Sequence, residues 1–98
     1  MTDLTGQYVI VRTYSAGVFA GTLVDRQGKE CELKDARRIW KWAGAASLSQ
    51  LAESGTSMPN ECKFPEPVKL VQLTEGIEFI LCSKKARKSI EGVPVWQE

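Results

Sequence analysis

The sequence contains no histidine at all. That removes the most common general base, the base of the familiar Ser and Cys triads, and the most common metal ligand. Only three cysteines occur, Cys31, Cys62 and Cys82. An odd number at such wide spacing cannot close a disulfide framework within one chain, so free thiols in a reducing compartment are expected. Three distant cysteines do not make a zinc site either, and no Gly-rich phosphate loop, CxxC pair or HExxH motif is present. Charge of one sign is scarce as well. The 13 Lys plus Arg residues against 12 Asp plus Glu leave a net charge of +1, which argues against the basic coat of a long-nucleic-acid binder. No apolar run reaches the roughly 20 residues of a membrane span, and Met1 to Thr5 does not resemble a signal peptide. The expected address is the cytoplasm, with no cofactor, no metal and no membrane partner. No repeat or low-complexity segment is visible.

What is present is the composition of a folded domain, 43% hydrophobic and 26% charged over 98 residues, so a single domain spanning 1–98 is expected. A core this small is marginal, and self-association would support it. Residues 7–14 are rich in β-branched and aromatic side chains, and Ser15-Ala16-Gly17 turns them into a returning strand over 18–24. After the turn at 25–28, residues 29–34 alternate with Cys31 and Leu33 inward. Residues 37–42 also alternate, and predict a fourth strand with Arg38, Trp40 and Trp42 on one face and Arg37, Ile39 and Lys41 on the other. Residues 68–73 and 77–82, split by Thr74-Glu75-Gly76, predict a second hairpin.

Ser47 and Gln50 have capping-box spacing, and with Gly55 as a stop they predict a helix over 48–54. Ser83 and Gly92 bracket a second helix at Lys84–Glu91, after which the tail carries Trp96, too large to leave wet cheaply. The predicted class is α+β: a small antiparallel sheet or partly open barrel of about six strands with two short helices.

The candidate site residues follow from chemistry. Arginine forks grip phosphate oxygens, and a tryptophan face stacks a nucleobase for about 1–3 kcal/mol, so Arg37, Arg38, Trp40 and Trp42 interleave the two functions a nucleotide needs. The plainer reading makes Trp40 and Trp42 core and pairs the arginines with Asp35 or Glu32. Lys84, Lys85 and Arg87 sit in the first turns of a helix, against the macrodipole, which either marks an anion site or a solvated basic face. Arg12 and Phe19 flank the first hairpin, where Gly17 and Gly21 allow close approach. Phe19 also reads as core. Thr56 and Asn60 have the polar groups to meet a base edge, or serve as ordinary turn residues. Glu30 and Glu32 share a strand face and read as solvated rather than as an acid/base pair.

Residues 11–21, the stretch 36–45 and the loop from Gly55 to Phe64 together resemble the Thoeris anti-defence family of phage sponges. These small phage-borne proteins sequester nucleotide immune signals without degrading them. The resemblance covers nearly the whole chain. It implies a cyclic nucleotide signal as ligand (cyclic ADP-ribose isomers, and in some members cyclic oligonucleotides), pockets between protomers, a homo-oligomer (dimer or hexamer), and action in the host cytoplasm during infection. Arg12, Phe19, Arg38 and Trp40 are assigned to such a pocket on their chemistry. The expected function is thus a non-enzymatic nucleotide binder. A protein-interaction module that inhibits a host protein and a single-stranded nucleic-acid binder are the alternatives.

Overall fold

The computed structural model describes all of residues 1–98. Five strands form one antiparallel sheet: β1 (Tyr8–Thr13), β2 (Val18–Gln27), β3 (Glu30–Arg38), β4 (Val68–Leu73) and β5 (Gly76–Leu81). Between β3 and β4 lie helix α1 (Leu48–Ser54) and a single 3-10 turn (Pro59–Glu61), and helix α2 (Lys84–Glu91) follows β5. The α+β class and both helix positions are as the sequence predicts.

The sheet order is β4-β3-β2-β1-β5, so the predicted second hairpin does not form. β4 and β5 are consecutive in the chain yet occupy opposite edges, joined by Thr74 and Glu75 alone. In a flat sheet, four inter-strand steps of about 4.8 Å would part those edges by about 19 Å. Three Cα steps reach about 11 Å at most. The sheet must therefore curl into a partly open barrel. The short link is pinned on both sides: Gly76 N–H donates to the Lys29 carbonyl at 2.9 Å and Tyr14 N–H to that of Glu75 at 2.9 Å.

Curling gives the sheet two covered faces, and β1 lies under both. Val9 and Val11 join Phe19, Leu23, Cys31, Leu33, Ala36 and Leu73 in the barrel interior. Tyr8 and Ile10 face the other way, into a second core with Leu51 and Ala52 of α1, Ala86 and Ile90 of α2, and Phe64. A strand apolar on consecutive positions, as Tyr8 to Val11 is, belongs where both faces are buried.

The predicted separate strand over 37–42 also needs correction, which leaves five strands rather than six. β3 runs straight through the expected break at Asp35-Ala36 by means of a bulge. Ala20 faces Arg37 and Thr22 faces Lys34, so Ala36 and Asp35 together oppose Gly21 alone. Asp35 takes φ 51°, a left-handed conformation that its short polar side chain tolerates. Gly21 is tightly packed, because a Cβ there would lie 3.0 Å from the Lys34 carbonyl oxygen and would push the bulge aside by a few tenths of an ångström. Arg37 and Arg38 thus end β3, and the chain then leaves the sheet.

Candidate ligand groove

The predicted alternation holds through Trp40, past the end of β3, and fails at Lys41, which is exposed rather than turned inward with Arg37 and Ile39. Arg37 and Ile39 turn inward and are each 3% exposed, whereas Arg38 is exposed, Trp40 is 65% exposed and Trp42 is half-buried. Arg37 has no carboxylate partner. Its two terminal nitrogens donate to four carbonyls: Ile90 at 3.1 Å, Val93 at 2.6 Å, Phe64 at 2.9 Å and Pro65 at 3.4 Å. Ile90 lies in the last turn of α2, the negative end of the helix dipole, which favours a cation there. Burial pulls the Arg37 pKa below the ordinary guanidinium range, with nearby Tyr8 acting in the opposite sense. Arg37 is a buried knot between α2, the C-terminal tail and the segment before β4.

Arg38 faces outward and is organised for a different task. Its guanidinium lies 4.4 Å from the centroid of the Phe19 ring, and it donates one hydrogen bond of 2.8 Å to the Ala16 carbonyl. That bond uses one of five N–H groups. Arg38 thereby ties the end of β3 to the β1–β2 loop, and the two segments wall a groove of about 290 Å³ lined by Ser15, Gly17, Val18, Arg38, Trp40 and Trp42 among others. The indole N–H of Trp42 is satisfied by the Ala45 carbonyl at 3.1 Å, which fixes that ring as a wall. The lining holds no carboxylate and no thiol.

Outside the groove the Trp40 segment is bonded to a second chain segment and, through it, to the tail. Trp40 and Lys41 N–H groups both donate to the Lys63 carbonyl, at 3.1 and 3.2 Å, and Lys63 N–H returns to Lys41 at 2.8 Å. Phe64, fully buried, bridges Val95 in parallel and accepts from Trp96 N–H at 3.0 Å. The outcome is an exposed pair, Trp40 and Trp96, with the Lys63 ammonium 5.3 Å from the Trp96 ring centroid. Lys63 and Trp96 were not among the residues picked out by strand periodicity, since both arrive from distant segments. The interleaving of Lys63 with the fully buried Phe64 is the one local sign.

The remaining candidates are dispersed. Phe19 is 3% exposed and belongs to the barrel interior beneath Arg38. Arg12 pairs in register with Val18 at the groove margin, and its guanidinium is engaged by Glu78 at 3.1 Å. Thr56 spends its hydroxyl on backbone either side of α1, donating to the Ala43 carbonyl before the helix and accepting from Met58 N–H after it. Asn60 is exposed on the 3-10 turn just before Lys63. Lys84, Lys85 and Arg87 are exposed on α2, where Arg87 pairs with Glu91 at 3.4 Å and lies over the Tyr8 ring. Tyr8 faces Thr22 while Arg12 faces Val18, so four strand residues, about 13 Å, separate the Arg87 contact from the groove end of β1. The structure joins Arg38, Trp40 and Trp42; it does not bring the helix cations to them.

Residues 6–90 match the model of a family described as a domain of unknown function, DUF6948, and the chain belongs to that family. No curated protein and no solved structure matches it. Trp96 lies beyond the matched residues.

Proposed function

We propose that this DUF6948 member is a non-catalytic binding protein for a small nucleotide, which it sequesters in the groove between the β1–β2 loop and Arg38–Trp42. The observation that carries the reading is the union of Arg38 and Trp40 on one wall. A guanidinium with N–H groups to spare lies two residues from a tryptophan that is 65% exposed. A charge-assisted arginine–phosphate bond supplies at most about 1.5–3 kcal/mol at an exposed side chain such as Arg38, and base stacking about 1–3 kcal/mol. The groove lining holds no thiol or imidazole, and the Glu75 carboxylate meets it through a 2.6 Å bond from the Ser15 hydroxyl.

In the setting implied by the resemblance to Thoeris anti-defence sponges, the ligand is a cyclic nucleotide immune signal such as a cyclic ADP-ribose isomer, met in the cytoplasm of an infected cell. Self-association as a dimer or hexamer belongs to the same reading. Its support is the pair of unpaired sheet edges, where Val68 and Leu70 on β4 and Ile77 and Leu81 on β5 are exposed.

Calorimetric titration with a panel of cyclic ADP-ribose isomers and cyclic oligonucleotides tests the proposal. At least one should bind reversibly and come back intact after the protein is heated, and Arg38→Ala and Trp40→Ala should each weaken it about tenfold or more, a loss of at least about 1.4 kcal/mol. Recovery of a cleaved product, or affinity untouched by both substitutions, overturns it. Tight binding of oligonucleotides with steep loss in salt would move the reading to single-stranded nucleic acid.

A further inference from the structure

The β1–β2 wall of the groove is held from three directions. Tyr14 N–H donates to the Glu75 carbonyl at 2.9 Å, Ala16 N–H to the Thr13 hydroxyl at 2.9 Å, and the Ala16 carbonyl accepts from Arg38 at 2.8 Å. Between these anchors stands Ser15, which carries the only hydroxyl of the groove lining. That hydroxyl has a fixed sense. Its proton is committed to Glu75 Oε1 across 2.6 Å, the length of a charge-assisted bond from a hydroxyl to a carboxylate. A serine hydroxyl has one proton and two lone pairs, so what Ser15 has left for a ligand is an acceptor. A phosphate oxygen, itself an acceptor, gains nothing there. An O–H or N–H does, and its bond is strengthened because Ser15 is polarised in turn by the carboxylate.

Glu75 is placed for this task. It belongs to the two-residue link between β4 and β5, and Gly76 beside it is tied to the Lys29 carbonyl, so its backbone has no slack. The two ion pairs of the chain, Arg12–Glu78 and Arg87–Glu91, leave Glu75 without a cation. A carboxylate that no cation neutralises, bonded to one wall of a groove whose other wall carries Arg38, opposes an anion and calls for a donor. The two poles are close. Arg38 bonds the carbonyl of Ala16, the residue next to Ser15, and neighbouring Cα atoms are about 3.8 Å apart. A nucleotide with its phosphate on Arg38 and its base towards Trp40 therefore brings the sugar to Ser15.

We propose that Ser15 is a specificity-determining residue that accepts a hydrogen bond from a ribose hydroxyl of the bound nucleotide, with Glu75 as the positioning residue that draws the Ser15 proton to itself. The inference rests on the nucleotide-binding reading above and narrows its ligand to ribonucleotides over deoxyribonucleotides.

The test is calorimetric titration of wild type, Ser15→Ala, Glu75→Gln and Arg38→Ala with cyclic ADP-ribose isomers and cyclic di-AMP. Each is run beside analogues that lack a ribose 2′- or 3′-hydroxyl and beside its hypoxanthine counterpart, and thermal melts check that the exposed substitutions leave the fold intact. For a parent nucleotide that the wild type binds, at least one deoxy analogue should bind about 2- to 12-fold more weakly, the equivalent of one hydrogen bond of about 0.5–1.5 kcal/mol. Ser15→Ala should weaken the parent and spare that analogue, so that the preference disappears. Glu75→Gln, whose amide can donate as well as accept, should reduce the preference, whereas Arg38→Ala should weaken parent and analogue alike. Equal binding of a parent and all its deoxy analogues, or a preference that Ser15→Ala keeps, overturns the assignment and leaves the groove standing. A preference for adenine over hypoxanthine that Ser15→Ala erases would put the base amine at Ser15 and overturns it as well. If the wild type binds none of the parents, the nucleotide-binding reading fails and the Ser15 assignment falls with it.

Discussion

Arg37 and Arg38 are adjacent, chemically identical and opposite in role. Strand geometry sends neighbours to opposite faces, and here one face leads into the helix-side core and the other to the mouth of the groove. Arg37 enters a place without a carboxylate because four backbone carbonyls converge there, and a buried cation is tolerated only when its N–H groups are met. Only its Nε is left unpartnered. Arg37→Ala should therefore lower the unfolding free energy by about 3 kcal/mol or more in urea denaturation, since each stranded buried carbonyl costs about 1–3 kcal/mol. Arg37→Lys should recover less than half of that, because an ammonium cannot fork to four acceptors on three segments. A loss near zero for Arg37→Ala would show that water replaces the guanidinium freely.

At the scale of elements, the two helices were legible because their ends are written in local chemistry. Ser47 accepts from Gln50 N–H at 3.1 Å, and Ser83 from Ala86 N–H at 3.0 Å, as their spacing predicts. The Gln50 side chain does return, though to Ala46 N–H at 2.7 Å, one residue before the cap. Gly55 shows a demand that its helix alone does not reveal. It ends α1 at φ 76°, and a Cβ there would collide with the Ser89 side chain on α2. Gly55→Ala should cost at least about 2 kcal/mol of stability, combining left-handed strain with overpacking between the helices, as measured by chemical denaturation. The β3 bulge was not legible, since Asp35-Ala36 between two alternating runs has the composition of a turn. What overrode it is the partner strand, where Gly21 makes room for the extra residue.

For the whole molecule, the double core sets the response to alkali. Burial, and after it the charge of Glu53, pushes the Cys82 thiol up to about 12, with a backbone bond to Ile10 opposing. Burial, with Glu91 next, also raises Tyr8 above the ordinary phenol range. The folded chain thus keeps protons that the unfolded chain releases, so this stabilisation is complete below the ordinary thiol value of 9.0 and is lost as pH climbs towards about 12. Melting temperature should fall between about pH 9 and 11, and fall less steeply in Cys82→Ala. A melting temperature that rises across that window would contradict the burial of these groups.

Composition, alternation and caps were enough to establish an α+β chain with a meander of three strands, both helices and an unusual cationic-aromatic stretch, because each of these depends on residues within a few positions of one another. The fate of that stretch was not a local matter. Whether Trp40 was core or surface, whether Arg37 met a ligand or a set of carbonyls, and whether Trp96 would stand beside Trp40 all depended on how the sheet closes. A two-residue link between its outermost strands forces the curl, the curl creates a second core for the helices, and the helix-side core draws in Arg37. Arg37 then binds the tail, and the tail carries Trp96 to Trp40.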